Sequence, residues 1–381
     1  MLARTQGDME PACAALVERR ARTRELEPYS ARSTASVVEA LEDFFATERP
    51  GASVSDIRRM GGGASKEQFR FTLTGADGGT QHYVLRMDPR EAITETDRRR
   101  EYEILKLVQG LIPAPLPVWL DVDGSRFGQP AVIMEFVGGV TKPSGAGMKV
   151  SGLGTLLGER LRGQLKDQFL QHLVTLHGID WREADLPSFA APVADPQQPA
   201  RWSLNYWKAL WALDRTEERP IVSLATRWLT DNLPDCSDPV LTHGDYRTGN
   251  YLFDEDSGRI TAVLDWELAR IGDFHEDLAW TMMQLFGIFD PDGTFRAGDL
   301  YGREELIAAY EQASGRTVNR RTLHYYDVMA SWKCYIIVAA NGLSAARARH
   351  NHQDVLLTFL ASSEPLFADD LCRLLSQETP R

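Results

Sequence analysis

The alternation of apolar and polar residues predicts a small sheet in the first third of the chain. A helical period places Val37, Leu41 and Phe45 on one face and ends at Pro50-Gly51. Between residues 54 and 89, two glycine-rich turns separate three strand patterns, the last of which ends before a proline. The pattern therefore predicts antiparallel strands joined by tight turns.

Helical patterns dominate the rest of the chain. Residues 94–110 are predicted to form a helix, and residues 130–139 form a further strand that runs into glycines. From residue 159 onward the periodicity is mostly helical, apart from two short strands around Ser257-Gly258. We therefore predict an α+β chain with two lobes. Its parts are an N-terminal extension (1–34), an N-lobe with a small antiparallel sheet (35–136) and a mainly helical C-lobe (137–381).

Composition narrows the classes of function. Lys and Arg total 42 against 54 Asp and Glu, and the net charge of −12 argues against nonspecific binding to nucleic acid or anionic membranes. The four cysteines lie far apart, and no stretch has the apolar core of a signal peptide or the length of a membrane span. We expect a cytoplasmic protein without disulfides or structural zinc, and the oligomeric state stays open. The basic stretch ERRARTRE is interpreted as a solvated helix face.

The densest group of polar residues lies in LTHGDYRTGNYLFDEDSGRITAVLDW, residues 241–266. A hairpin with its turn at DEDSGR would place Asn250 at the start of one strand and Asp265 at the end of the next, where their oxygens suit Mg²⁺. Asp245 would then lie beside the metal, where phosphoryl transfer needs a carboxylate that takes the proton of an acceptor hydroxyl. Arg247 can offset charge on the moving phosphoryl group. The spacing predicts a kinase-type catalytic loop.

Each of these residues also has a structural interpretation. His243 has no second His or Cys at ligand spacing, so we interpret it as a residue that hydrogen-bonds the loop rather than as a zinc ligand or general base. Asp245 and Asp265, taken singly, would be an ordinary turn carboxylate and an ordinary strand-end carboxylate. The catalytic hypothesis therefore depends on whether the first part of the chain supplies a nucleotide site.

Two features of a nucleotide site appear first along the chain. A glycine-rich loop in RMGGGASKEQF lets the backbone approach phosphate and adds a hydroxyl, although a plain hairpin turn would have the same glycines. On the third strand, Arg86 can hold phosphate oxygens with its guanidinium, and the alternative is an ordinary surface arginine. The loop residues predicted to contact nucleotide are Gly61, Gly62, Gly63 and Ser65.

A carboxylate to hold Arg86 and a strand to meet the base complete the predicted site. Glu101 is the preferred ion-pair partner, because Glu103 points away around the predicted helix. On the strand that ends in IMEFVGG, backbone groups of Glu135 to Val137 are expected to meet the adenine edge. The predicted cofactors are ATP and Mg²⁺, and a preference between ATP and GTP stays open.

These motifs together resemble the aminoglycoside phosphotransferase family of kinase-like enzymes, and within it the branch related to the kinase-like domain of acyl-CoA dehydrogenase family proteins. The resemblance spans about residues 36–360 and is carried by LTHGDYRTGNYLF, AVLDWELARIGDFHEDLAW and YVLRMDP. It implies a bilobal protein-kinase-like fold. It also implies that Asp245 is the catalytic base, that Asn250 and Asp265 are metal ligands, and that Asp277 braces the catalytic loop.

The sequence departs from the family pattern at two positions. Phe274 stands where the family usually has the proline of Gly-Asp-Pro, which places the local turn in question. Lys66 stands where an asparagine commonly follows the loop serine, which affects the expected contacts to nucleotide. The glycine-rich segment 138–158 is also long for the family and is a candidate flap over the cleft.

We predict Mg²⁺-dependent transfer of the ATP γ-phosphate to a hydroxyl group of a small molecule. Residues 201–215, 280–289 and 324–338 are expected to line the acceptor site, and their only carboxylates are Asp214 and Asp327. A polycationic aminoglycoside needs more anionic partners than these. A less polar acceptor is therefore expected, and the family resemblance implies a hydroxyacyl-CoA first, with another lipophilic alcohol next. The alternatives are an aminoglycoside or macrolide antibiotic kinase and, in another class, a catalytically silent nucleotide-binding regulatory module.

Overall fold

The protein is described from a computed structural model that covers residues 8–24, 26–61, 66–146 and 153–377. Three of the predicted loop residues, Gly62, Gly63 and Ser65, lie outside the described residues. Within the described ranges the chain forms two lobes, an N-terminal lobe built on a sheet and a C-terminal lobe built mainly from helices.

The N-lobe is built on a five-stranded antiparallel sheet. In chain order its elements are helix α1 (Pro11–Thr23), helix α2 (Thr34–Glu48), strands β1 (Ser53–Arg59), β2 (Glu67–Thr74) and β3 (Thr80–Met87), helix α3 (Arg98–Leu107), and strands β4 (Pro117–Asp121) and β5 (Ala131–Glu135). The strand order is β1-β2-β3-β5-β4, and each neighbouring pair is antiparallel. The predicted sheet is confirmed. Strand β4 is not predicted from the sequence, because Pro115 and Pro117 interrupt the alternation where it starts.

Different helices cover the two faces of this sheet. Leu41 of α2 belongs to one buried cluster with Phe71 of β2, whereas Ile104 of α3 belongs to a second cluster with Val84 of β3. Alternate residues of a strand point to opposite faces, so Arg86 shares the face of Val84 and points toward α3. The sheet thereby directs the β3 arginine to the helix that follows it.

The C-lobe is mainly helical. Its helices are α4 (Gly158–His177), α5 (Gln198–Asp214), α6 (Pro220–Asp231), α7 (Phe274–Thr281), α8 (Arg303–Ser314), α9 (Arg320–Ile336), α10 (Leu343–Ala348), α11 (Asp354–Ala361) and α12 (Glu364–Ser376). Its strands are β6 (Val240–Thr242), β7 (Tyr251–Asp254), β8 (Arg259–Val263), β9 (Arg270–Gly272), β10 (Ile288–Phe289) and β11 (Phe295–Arg296). Short helical turns at Ser144–Ala146, Trp266–Leu268 and Gln284–Phe286 and a π-helical segment at Ile337–Gly342 complete it.

Two antiparallel strand pairs frame the loop at residues 243–250. Strand β6 pairs with β9, and β7 pairs with β8 with Tyr251 opposite Val263. Beyond that pair, the amide of Leu264 donates to the carbonyl oxygen of Asn250 at 2.8 Å. The predicted hairpin is present, and it places Asn250 at the same end as Asp265.

The prediction that ERRARTRE is a solvated helix face is wrong for Arg20. Helix α1 packs against α5, and Arg20 is completely buried. Its guanidinium lies 2.9 Å from Glu91, 3.2 Å from Glu95 and 2.6 Å from Asp214. A buried arginine needs such partners, because an unpaired charge removed from water is strongly destabilising. The extension therefore packs on both lobes, and the boundaries at residues 34 and 136 stay predictions.

Both described ends of segment 138–158 are attached to the C-lobe. Val140 exchanges two backbone hydrogen bonds with Phe253 of β7, at 2.9 and 3.0 Å. At the other end, the amide of Leu157 donates to the buried carboxylate of Asp299 at 2.7 Å. Residues 147–152 lie outside the described part of the chain, so the flap stays a prediction.

Two further facts bear on composition. All four cysteines have free thiols, as the wide spacing of these residues predicts. Among the described helices, none is long and apolar enough to cross a bilayer.

Candidate active site

Three hydrogen-bond donors fix the carboxylate of Asp245 in the loop between β6 and β7. Oδ1 accepts from Arg247 Nε at 2.8 Å and from Trp280 Nε1 at 2.6 Å, and Oδ2 accepts from Asn250 Nδ2 at 2.6 Å. Hydrogen bonds to a charged acceptor are stronger than neutral ones and hold its orientation. The Asp245 side chain is 19% exposed, so it is oriented and still open to a substrate.

Asp277 supports the same loop from helix α7. It is completely buried, and its carboxylate accepts from the amides of His243 at 2.7 Å and Gly244 at 2.8 Å. His177 of α4 adds a third contact at 3.2 Å. Burial opposes ionisation of Asp277, but the hydrogen bond and charge of His177 and the contacts of His243 hold its pKa below the ordinary value.

His243 connects the loop to the end of β8. Its Nδ1 accepts from the amide of Asp245 at 3.2 Å, and its Nε2 donates to the carbonyl oxygen of Leu264 at 2.9 Å. Burial lowers the pKa of His243, which favours the neutral ring that this pattern requires. The interpretation of His243 as a residue that hydrogen-bonds the loop is confirmed.

Asp265 lies where the chain leaves β8 in a left-handed backbone conformation, with φ of 61° and ψ of 48°. Few residues other than glycine adopt this region, and aspartate is among those that tolerate it best. Its Oδ1 lies 2.7 Å from Arg86 Nη2, and the side chain is 37% exposed. The turn therefore points a partly open carboxylate toward the N-lobe sheet.

Arg86 lies at the centre of a buried charge network. The predicted ion pair with Glu101 is present, with Nη1 3.2 Å from Oε1. Nη2 also lies 2.8 Å from Glu267, a carboxylate that Arg98 approaches to 3.1 Å and Lys66 to 3.8 Å. Arg98 binds Glu101 as well. The network joins the sheet, helix α3 and the segment that follows Asp265.

Lys66 is an internal member of this network. It is 2% exposed, and its ammonium lies 2.9 Å from Asp88 and donates to Thr96 Oγ1 at 2.8 Å. Its charge is thus used inside the N-lobe. Arg98 and Glu267 are not predicted from the sequence as members of the site, and Lys66 is identified there only as a departure from the family pattern. The one available indication is that Glu267 follows Asp265 by two residues in LDWE.

The backbone amides at the exit of β5 differ in their hydrogen bonding. The amide of Glu135 donates to Leu116 and that of Phe136 to His82, each at 2.9 Å. For the amide of Val137, no acceptor is found among the described residues. A Cβ placed on Gly61, the one described glycine of the predicted loop, would meet no described atom within 4 Å.

The predicted acceptor walls are mostly core. Tyr326 and Trp332 are at most 1% exposed, in agreement with the interpretation that most of these aromatics pack helices together. The two carboxylates of these stretches are paired with arginines: Asp214 with Arg20 and Arg24, and Asp327 with Arg303. Neither is a free anion that could pair with a ligand ammonium.

The turn around Phe274 forms without the proline usual in the family. The Asp273 side chain caps α7 by accepting from the amide of His275 at 3.0 Å. Phe274 is buried and stacks on Tyr310, with ring centroids 5.4 Å apart. An aromatic contact and a capping carboxylate thus hold the turn that places Asp277.

A sequence profile of the phosphotransferase enzyme family matches residues 56–324 of the chain. The chain belongs to this family. The matched range contains the loop of Asp245, the β8 end with Asp265 and the network around Arg86.

Curated members of the acyl-CoA dehydrogenase families contain related sequences. The chain is 27% identical over 302 residues to acyl-CoA dehydrogenase family member 11 of Gallus gallus, with 75% of this chain and 36% of that relative aligned. Against family member 10 of Mus musculus it is 29% identical over 210 residues, which cover 53% of this chain and 18% of the relative. The chain thus spans about a third or less of the length of these two relatives.

Solved phosphotransferases of this family share the fold. A putative aminoglycoside phosphotransferase from Ralstonia eutropha superposes with a TM-score of 0.63 at 22% identity, over 88% of this chain and 97% of that one. The phosphotransferase APH(4)-Ia, in a complex with ADP and hygromycin B, superposes with a TM-score of 0.56 at 16% identity, over 89% and 100%. The predicted bilobal, protein-kinase-like α+β fold is confirmed.

Proposed function

We propose that the protein transfers the γ-phosphate of ATP to a hydroxyl group of a small molecule in a Mg²⁺-dependent reaction. One observation carries the proposal: a partly exposed carboxylate, Asp245, is held by three donors at the end of the hairpin that also ends in Asp265. A carboxylate in this place can take the proton of an acceptor hydroxyl as the phosphoryl group moves. Arg247, which contacts the same carboxylate, can offset charge on the transferred group.

The donor atoms at the hairpin end fit a hard divalent cation. Asn250 uses its amide nitrogen for two hydrogen bonds to Asp245, which leaves the amide oxygen as the candidate ligand. Asp265 uses Oδ1 for Arg86, which leaves Oδ2. Carboxylate and amide oxygens are suited to Mg²⁺, which would bridge and neutralise the phosphates of the nucleotide.

The N-lobe fits a nucleotide beside this cation. Arg86 presents a guanidinium held by Glu101, and the amide of Val137, for which the described residues provide no acceptor, can donate to an adenine edge. Gly61 to Gly63 and Ser65 would cover the phosphates. Structures of two related phosphotransferases contain ADP or GDP, and this likeness supports a nucleotide as the donor here.

For the acceptor we infer a weakly polar alcohol, with a hydroxyacyl-CoA first. Asp214 and Asp327 are each neutralised by arginine, so the predicted walls offer no excess of carboxylate to a polycation. Arg247 and Phe286, in contact beside Asp245, instead offer a cation and an aromatic ring. The relatedness to acyl-CoA dehydrogenase family members supports a thioester substrate.

The test is ADP release by the purified protein with Mg²⁺-ATP against hydroxyacyl-CoAs, macrolides, amino alcohols and kanamycin-type aminoglycosides. Mass spectrometry identifies the phosphorylated product, and Asp245→Asn is the matched control that keeps the shape of the side chain. We expect a hydroxyacyl-CoA or a lipophilic alcohol to give product in the wild type and little or none in the variant.

The outcomes separate the candidate functions. If kanamycin-type compounds alone give product, the acceptor assignment is wrong and the kinase proposal stands. A protein that binds Mg²⁺-ATP but phosphorylates none of these classes would favour a silent nucleotide-binding module, and the proposal would fail.

A further inference from the structure

A buried tryptophan and a buried lysine stand behind the candidate base. Trp280, the last but one residue of α7, is 5% exposed, and its indole N–H donates to Asp245 Oδ1 at 2.6 Å. Lys333 of α9 is 3% exposed, and its ammonium lies 4.2 Å from the centre of the Trp280 ring. The indole of Trp280 therefore contacts both the ammonium of Lys333 over its ring and the carboxylate of Asp245 at its N–H.

Lys333 makes few other polar contacts. Its ammonium donates to the carbonyl oxygen of Gly244 at 3.1 Å, and the ring of Trp207 lies 5.4 Å away. A lysine held against the face of an indole is stabilised when the amine is charged, and the interaction is stronger away from water. Such a charge over the ring also makes the indole N–H a stronger donor. Lys333 therefore contacts both the residue before Asp245 and the donor to its carboxylate.

Burial and the charged neighbours of Lys333 act on its pKa in opposite directions, and the pKa is lowered overall. Burial lowers the pKa of Lys333, whereas the carboxylates of Glu276 on α7 and Asp245 on the loop raise it, and Arg270 on β9 lowers it. Cys334, the next residue on α9, has its pKa raised by burial and is a neutral thiol. Removing the amine by mutation therefore tests its role more directly than changing the pH.

We propose, on the basis of the function proposed above, that Trp280 and Lys333 are positioning residues that hold Asp245 Oδ1 so that Oδ2 faces the acceptor hydroxyl. Asn250 holds Oδ2 by one hydrogen bond, and a carboxylate oxygen can accept a second. Without the indole donor, Oδ1 keeps, among the described donors, only Arg247, whose side chain is 19% exposed. Rotation of the carboxylate would then compete with the productive orientation, so chemistry slows while substrate binding does not.

The kinetic test compares Trp280→Phe and Lys333→Met with the wild type, using the acceptor that gives the highest wild-type turnover in the ADP-release screen. We expect kcat to fall about tenfold or more for Trp280→Phe and by a smaller factor for Lys333→Met. The KM values for ATP and for the acceptor should stay within about twofold of the wild-type values. Trp181→Phe is the matched control, since this buried indole also donates to an oxygen, Pro239 O at 2.8 Å, and has Arg182 over its ring. The Trp181→Phe variant should keep the wild-type kcat.

A spectroscopic test does not depend on turnover. The ¹⁵N–¹H indole signal of Trp280, one of nine tryptophans, is assigned as the signal that Trp280→Phe removes. Asp245→Ala should move this signal and speed exchange of its proton with water, and Lys333→Met should move it in the same spectrum. An indole signal that is indifferent to Asp245→Ala would overturn the proposed contact.

The kinetic outcomes distinguish failure of the positioning role from failure of the proposed function. A wild-type kcat in Trp280→Phe, with an active wild type, refutes the positioning role and leaves the proposed function intact. Equal loss of kcat and binding in the two variants would also refute it, because it would indicate general disruption. A wild type that phosphorylates no acceptor overturns the proposed function and this inference with it.

Discussion

Glu267 is the carboxylate on which three buried cations converge, so replacing it with glutamine is the sharpest test of the charge network. Its oxygen lies 2.8 Å from Arg86, 3.1 Å from Arg98 and 3.8 Å from Lys66. Burial opposes its ionisation, but Lys66, Arg86 and Arg98 outweigh that effect and lower the pKa of Glu267 to about 2. The Gln variant keeps the shape of the side chain and removes the charge.

The expected loss follows from breaking a buried pair. Removal of one partner of a buried pair costs about 3–5 kcal/mol, and here Arg86, Arg98 and Lys66 would lose the carboxylate that they share while keeping Glu101 or Asp88. Unfolding entropy near 60 °C is about 2.1 cal/mol/K per residue, which gives about 0.8 kcal/mol/K for 381 residues. Glu267→Gln should therefore lower Tm by about 4–6 °C if the protein unfolds in one step.

The assay is thermal unfolding followed by circular dichroism at neutral pH, with Glu304→Gln as control. Glu304 pairs with Arg320 on the surface, where an ion pair contributes little, so its loss should leave Tm unchanged.

The lowered pKa of Glu267 also determines how its contribution to stability changes with pH. Its contribution is present above the ordinary value of 4.5 and is lost as the pH falls toward about 2. The variant should lose less stability than the wild type in that window. A Tm equal to that of the wild type at neutral pH would refute the network argument.

Three other predictions concern the same site. Arg86→Ala and Glu101→Ala should each raise the KM for ATP, and the double variant should be less impaired than the sum; additive losses would mean that their 3.2 Å contact carries no coupling. Asp277→Asn should lose a charge-assisted hydrogen bond to the loop, which is worth about 1.5–3 kcal/mol of stability. The variant should also lower kcat more than it raises KM. An unchanged Tm together with an unchanged kcat would contradict the bracing role. Asp265→Ala should abolish the Mg²⁺-dependent part of nucleotide binding, which calorimetry with and without Mg²⁺ measures; equal enhancement by Mg²⁺ in both proteins would exclude Asp265 as a ligand.

The sequence was sufficient where the candidate site is formed by residues close together along the chain. Asp245, Arg247 and Asn250 share one loop, and a hairpin turn with a short apolar strand brings Asp265 to the same end. The position of Arg86 on the third strand and the helical period around Glu101 likewise predicted that these two residues form an ion pair. These relations follow from local geometry, which period and turn residues determine.

Contacts between distant segments could not be predicted in this way. Arg20 looked like one of several surface arginines, yet it pairs with Asp214, 194 residues away. Trp280 looked like helix core, and its donor bond to Asp245 depends on how α7 packs behind the loop. Amphipathic patterns give the buried face of a helix but not the polar partner that a buried side chain meets across the fold.

Asp245→Asn, measured for turnover and for nucleotide binding in the same preparation, tests the central claim most directly. General acid–base catalysis is worth about 10²–10⁴-fold, so the variant should lose that much phosphorylated product per unit time at saturating Mg²⁺-ATP. Its nucleotide Kd should stay within about twofold, because the carboxylate acts on the acceptor. A variant that forms phosphorylated acceptor at the wild-type rate would contradict the assignment of Asp245 as the base.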